Sequence, residues 1–397
     1  MAGSSWEWIA LSYAALLLVA VLLSGLAERS VLSTAVLFLA GGFALGEGGL
    51  GVIALRPDDP PVAVLADLAL FSVLFSDGMR ISFRDLATAW HLPGRALLLG
   101  MPLTMGITAV FAHALVGLGW VEAFLVGAVL GPTDPVFAVA IVGREEIPAR
   151  LRHLLRVESG LNDGLALPIV LVILARLRSV DAGSGQLVAE ILSGALLGVA
   201  VPWAAVGLER ACLFRVSREY QPLFALAVGL LVLSLSRVLG VNEYLAAFAA
   251  GITLTSVGVA WRDGFLATGE QIAEVLKLLA LMAFGALISP GFFRETAPAS
   301  YLFACAALFV ARPLALHIAL LGSPLDGRER WVAAWFGPKG FASVVYGILI
   351  LKAAIPGASH LFHLVALVIA GSMVAHSSTD VLIARWFHRS ARRKDTG

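Results

Sequence analysis

Charge is what this chain has least of: only 14% of its 397 residues are Asp, Glu, Lys or Arg, against about 25% in soluble proteins. That shortage excludes a soluble protein of this length, whose two or three domains would need well-solvated surfaces. Disordered and nucleic-acid-binding classes fall with it. Cysteine is scarcer still. Cys212 and Cys305 make no disulfide framework, lack metal-ligand spacing and report nothing on compartment. No Gly-x-x-x-x-Gly-Lys-[Ser/Thr] segment occurs, so no ATP site is visible and no cofactor is called for. What the chain has is apolar residues, 59% of the total, and a mean hydropathy of +0.90. The fold class this implies is an all-α polytopic membrane protein.

A membrane-crossing helix needs about 20 apolar residues. Thirteen candidate spans can be drawn: 8–27, 31–46, 62–79, 93–116, 120–142, 154–175, 187–208, 222–239, 244–259, 272–288, 299–321, 331–351 and 361–384. They fill residues 1–397 as one transmembrane domain, with 385–397 as a short basic tail. The first span lacks a basic leader region and is too long for a cleaved signal peptide. With the N-terminus outside, 19 basic residues fall inside and 6 outside, while Lys277, Arg312 and Lys339 lie within spans. The positive-inside rule thus predicts a multi-pass protein of the cell (inner) membrane with a cytoplasmic C-terminus.

An ionisable side chain in mid-membrane costs at least about 2.5–3.5 kcal/mol and is expected to have a partner or a task. Five stand out: Asp134, Glu158, Asp163, Arg312 and Lys339. Each is also readable as half of a structural ion pair. Asp134 and Lys339 lie 8 residues from the cytoplasmic ends of their spans, and Asp163 and Arg312 lie 9. At 1.5 Å per residue, all four are predicted about 12–14 Å into the hydrocarbon. Transporters place their sites in that layer.

Two of these spans cannot be regular helices. Span five reads Gly131-Pro132-Thr133-Asp134-Pro135 and span twelve reads Gly337-Pro338-Lys339-Gly340; proline removes a backbone donor and clashes with the preceding turn. Thr133 or Asp134 suits an N-cap, and Pro135 the first position of a restarted half-helix. An acid on one break and a base on the other would neutralise the exposed half-helix ends where the two cross. The spans are fifth in series one to six and fifth in series eight to thirteen. A shift of seven inverts the second half, predicting inverted repeats over about 8–175 and 222–384.

Span six carries Glu158-Ser159-Gly160-Leu161-Asn162-Asp163-Gly164. Spacings of three and four put Ser159, Asn162 and Asp163 on one helix face. That face offers a carboxylate, a hydroxyl and an amide oxygen, hard ligands for a small cation; Glu158, Ser159 and Asn162 are equally able to hydrogen-bond between helices.

Thr133-Asp134-Pro135 in a broken fifth helix followed by Glu158-Ser-Gly-Leu-Asn162-Asp163-Gly in the sixth resembles the monovalent cation:proton antiporters, more narrowly the NhaP-type sodium/proton exchangers. The resemblance extends over essentially the whole chain. It implies an electroneutral secondary antiporter, not an enzyme, with thirteen helices in inverted repeats, a mobile core bundle and a dimerisation domain. Its partners would be a monovalent cation (Na+, with Li+ or K+ possible), protons, the lipid bilayer and a second copy in a homodimer. Carried over residue by residue, Asp163 binds cation and proton in turn. Ser159 and the Thr133 carbonyl line the ion site, and Asn162 supports it. Asp134 stabilises the helix crossing, Glu158 pairs with Arg312, and Lys339 stands where relatives more often carry arginine.

Phe75-Ser76-Asp77-Gly78 departs from the family pattern, in which the acid directly follows the phenylalanine. Asp77 then either lines the ion path or pairs with Arg80. Asn162 in place of a second aspartate favours one-for-one exchange, with pH homeostasis as the use. Alternatives are a K+/H+ antiporter, a sodium-coupled solute symporter or a cation channel on a similar fold. An intramembrane aspartyl protease, which needs two carboxylates sharing a proton, leaves Arg312, Lys339 and the second break without a role.

Overall fold

The computed structural model describes residues 5–27, 34–56, 59–84, 92–134, 147–178, 184–211, 216–257, 262–289, 291–292 and 296–395, and among them no strand occurs. The helices are α1 (Ser5–Ala27), α2 (Thr34–Leu45), α3 (Pro60–Met79), α4 (Leu92–Val116), α5 (Trp120–Val129), α6 (Ala149–Leu177) and α7 (Ser184–Arg210). They continue with α8 (Gln221–Leu239), α9 (Glu243–Val257), α10 (Arg262–Ala286), α11 (Pro298–Ala319), α12 (Gly327–Trp335), α13 (Phe341–Lys352) and α14 (Ala358–Asp395).

Five segments are each long and apolar enough to cross a membrane: Leu92–Val116, Ala149–Leu177, Val188–Arg210, Pro298–Ala319 and Ala358–Thr379. The chain is therefore a multi-pass membrane protein. Among the described residues the predicted spans fall on helix, and the two predicted to break do so. Span five stops as α5 at Val129, and span twelve divides into α12 and α13. At 1.5 Å per residue these pieces reach about 14–18 Å, half the hydrocarbon thickness. The half-helix expected to restart at Pro135 lies outside the described residues.

Helices α4 and α11 share a local device. Each contains a five-residue π-helical stretch, Ala96–Gly100 and Ala307–Ala311, and each stretch is followed by one residue and a proline, Pro102 and Pro313. Proline offers no N–H to the carbonyl four residues back, and the widened turn absorbs the missing bond.

The chain divides into two compact units. The first comprises Met1–Val64, Leu92–Ser159 and Leu278–Gly397; the second comprises Leu65–His91 and Gly160–Lys277. In the first unit an apolar cluster including Leu151, Leu154, Leu316, Val332 and Phe336 joins the start of α6 to the end of α11 and to α12. Short α12 is fastened at its start by a capping box. The Glu329 N–H donates to Asp326 Oδ1 at 2.8 Å, and Glu329 Oε2 accepts from the Asp326 N–H at 2.8 Å. Arg150 of α6 closes on Glu329 at 2.7 Å.

In the second unit, α7 and α9 pack backbone against backbone. A Cβ at Gly198 would stand 2.2 Å from the Ala246 carbonyl oxygen, so only glycine permits this approach. Between helices in lipid, small residues allow the dispersion contacts and close packing that apolar bulk alone does not supply. Tyr244 donates to Asp67 at 2.7 Å, and Arg237 contacts both Asp67 and Glu243.

Candidate functional site

The first unit contains the crossing. Leu130 ends α5 with φ −92° and ψ 0°, and Gly131–Asp134 leave the helix. On the other segment, residues 336–340 are non-helical between α12 and α13. The two non-helical stretches bond directly: the Asp134 N–H donates to the Pro338 carbonyl at 3.0 Å. Asp134 Oδ2 accepts from the Phe341 N–H at 3.1 Å. Phe341 is the first residue of α13, so Asp134 caps from another segment a helix whose own N-cap, Gly340, has no side chain. Gly340 is required here, because its Cβ would lie 1.9 Å from that of Asp134. An anionic acceptor at a helix N-terminus satisfies an orphan donor and meets the positive end of the dipole.

The other helix ends are closed by side chains too. Ser343 donates to the Val129 carbonyl at the end of α5, at 2.7 Å. Arg312 Nη2 donates to the Phe336 carbonyl just past α12 at 3.1 Å, and its Nη1 contacts Glu158 Oε1 at 2.8 Å. Gly337 leaves room for that guanidinium, since a Cβ there would meet Arg312 Nε at 1.7 Å. The Lys339 N–H donates to Ser372 Oγ at 2.7 Å, and His376 Nε2 lies 3.0 Å from the Trp335 carbonyl. The base on the second break behaves unlike the acid on the first. Lys339 Nζ is buried and has no hydrogen-bond partner among the described residues. Neutralisation of the half-helix ends by one acid and one base is thus replaced by capping: the acid bonds a backbone N–H, while the lysine contributes its own N–H.

All nine residues singled out in the sequence are buried, none more than 6% exposed. Thr133, Asp134, Glu158, Ser159, Arg312 and Lys339 belong to the first unit, and Asp77, Asn162 and Asp163 to the second. The structure joins Asp134 to the second break and Glu158 to Arg312. On α6 itself, Ser159, Asn162 and Asp163 lie within little more than one turn. Asp77 has Arg80 at 3.5 Å, and Arg80 reaches Glu270 at 3.2 Å. Among the described residues no group of three His, Cys, Asp or Glu forms a multivalent metal site.

Sequence reasoning missed Ser343, Ser372 and His376. His376 is buried within α14, its ring stacked on Trp335 at 5.1 Å. The one available signal was Ser372 and His376 at four-residue spacing on an apolar helix.

A helical membrane fold whose interrupted helices bond through their breaks has the architecture of secondary transporters. The family described as "Sodium/hydrogen exchanger, transmembrane" matches residues 14–386, and the chain belongs to it. A K(+)/H(+) antiporter NhaP2 from Shewanella sp. (strain MR-4) is 28% identical over 374 residues, covering 92% of this chain and 65% of the relative. The K(+)/H(+) antiporter NhaP of Alkalimonas amylolytica is 25% identical over 94% of this chain and 65% of its own length. The chain therefore spans just under two-thirds of the curated relatives it matches. In fold it is similar to the sodium proton antiporter MjNhaP1 from Methanocaldococcus jannaschii at pH 8, with a TM-score of 0.75, 19% identity and 96% of each chain covered.

Proposed function

We propose that the protein is a secondary active antiporter that exchanges a monovalent cation, sodium, for a proton by alternating access and with no net charge moved. The observation that carries this reading is Asp163. It is a carboxylate buried in the interior of a 29-residue membrane helix, with Ser159 and Asn162 beside it on the same face. A buried carboxylate is stable either protonated or neutralised by a bound cation, so the two ligands compete for it. Ser159 and the Thr133 carbonyl serve as further oxygen ligands, and Asn162 supports them.

One carboxylate releases one proton per monovalent cation, which makes the exchange electroneutral. Asp134 holds the crossing together, and the Glu158–Arg312 pair neutralises two buried charges beside it. Asp77 enters only as the partner of Arg80, because an acid already paired with a guanidinium binds a cation poorly. The matching π-helix and proline devices in α4 and α11, fourth in their respective halves, support two inverted repeats. In this reading the protein works in the inner membrane, N-terminus outside and C-terminus in the cytoplasm, as a homodimer. A potassium/proton exchanger is the second reading, favoured by the names of relatives that align over more than 90% of the chain.

The test is transport in proteoliposomes containing a pH-sensitive dye, with sodium, lithium or potassium added outside at clamped voltage. Cation-driven proton movement is expected for the native chain and is abolished in Asp163→Asn. Proton flux that persists unchanged in that variant overturns the mechanism. The cation giving the steepest response decides between sodium and potassium.

A further inference from the structure

Four charged side chains are buried at the crossing. Asp134, Glu158 and Arg312 each make a hydrogen bond there, whereas the Lys339 ammonium makes none among the described residues. Lys339 is 2% exposed, and the charges of Arg312 and Glu158 act on it. An ammonium that has lost its hydration and gained no bond contributes little to holding a structure together. Its charge, however, is undiminished, and in a protein interior a charge acts well beyond contact distance.

The backbone places this charge close to the cation ligands. The Asp134 N–H, which donates to the Pro338 carbonyl at 3.0 Å, belongs to the same planar peptide unit as the Thr133 carbonyl. The Pro338 carbonyl belongs to the same unit as the Lys339 N–H. Two peptide units joined by one hydrogen bond therefore separate the Thr133 carbonyl from Lys339. On α6, Glu158 is followed directly by Ser159. The Thr133 carbonyl and Ser159 are the two ligands that the first unit brings to the cation in the exchange proposed above, and the inference rests on that reading.

The signs of the four charges complete the argument. Asp134 and Glu158 are matched by Arg312 and Lys339, so the frame around those ligands is neutral only while Lys339 is present. Without it the frame is negative and attracts cations more strongly. We propose that Lys339 sets the affinity for the transported cation: its unbonded charge opposes binding at Thr133 and Ser159 and keeps the cation held weakly enough to leave. Transport requires binding that is favourable on entry yet reversible on exit. Because a unit charge acts alike on sodium, lithium and potassium, Lys339 governs affinity and release without choosing among them.

The experiment uses the full chain in a mildly acidic buffer, which keeps amines charged. Each cation is titrated against choline at constant ionic strength. Proton movement in proteoliposomes gives half-saturation and maximal rate, and the melting temperature in detergent gives binding alone. In Lys339→Met, half-saturation is expected to fall about ten-fold for all three cations, the order of effect of one unit charge on another across about 10 Å of protein. The maximal rate should fall with it as release slows, and Lys339→Arg should restore both. A damaged structure would not gain affinity, so the direction of the change separates this role from a merely structural one. Lys339→Gln, equally uncharged, serves if Lys339→Met folds poorly. Native proton movement with half-saturation unaltered or raised in the uncharged variants, or Lys339→Arg behaving as they do, overturns the inference and leaves the exchange reading standing. Native cation binding that tightens in the uncharged variants, without any proton movement, supports the inference while the exchange reading fails. No cation response of the native chain in either assay overturns both.

Discussion

The two interrupted segments each bring one charge into the crossing, and the structure uses them differently. Asp134 is consumed by architecture: its carboxylate caps α13 and its N–H bonds to Pro338 across the crossing. Lys339 contributes its backbone N–H to Ser372, while its ammonium nitrogen makes no hydrogen bond among the described residues. The difference follows from what a break exposes here. The start of α13 presents N–H donors, which an acid can accept. Carbonyls at the ends of α5 and α12 are met by Ser343, Arg312 and His376, and the lysine ammonium bonds none of them. In the hydrogen bonds of the crossing Asp134 takes part with its side chain and Lys339 only with its backbone.

The contrast can be broken by substitution, with melting temperature in detergent as the readout. The largest loss is expected from Arg312→Ala, which strands Glu158 as a buried charge and frees the Phe336 carbonyl. Removing one member of a buried pair costs about 3–5 kcal/mol, and Glu158→Gln in the same chain should recover part of it. Asp134→Ala comes next, at about 0.5–2 kcal/mol for a lost helix cap. Asp134→Asn should keep most of the stability because its amide oxygen still accepts from Phe341. The smallest change is expected from Lys339→Met, within about 0.5 kcal/mol of the native chain or slightly stabilising, since it removes a buried charge that has no bond to lose. A destabilisation as large as that of Asp134→Ala would mean the ammonium holds the crossing after all.

The spans were legible because a bilayer demands long apolar runs, and runs of that length leave little else to be read from 8–27 or 187–208. The breaks were legible as well, since Gly131-Pro132 and Gly337-Pro338 leave a helix no way through. The partners that close those breaks were not. Ser343 and Val129 are 214 residues apart and Arg312 and Glu158 are 154 apart. A serine on an apolar helix reads the same whether it turns back on its own carbonyl, as Ser236 does on Val232, or reaches across to another helix.

Near-absence of charge determined, before any coordinates, that this chain lives in lipid, and the few charges it retains marked Asp134, Glu158, Asp163, Arg312 and Lys339. Hydrocarbon makes each buried charge expensive enough that its mere presence is information. Which of those charges caps a helix, which pairs and which stays unbonded was decided only by the packing of α5, α11, α12, α13 and α14. Hydrogen bonds act over about 3 Å, and no sequence spacing reports a distance between segments more than a hundred residues apart.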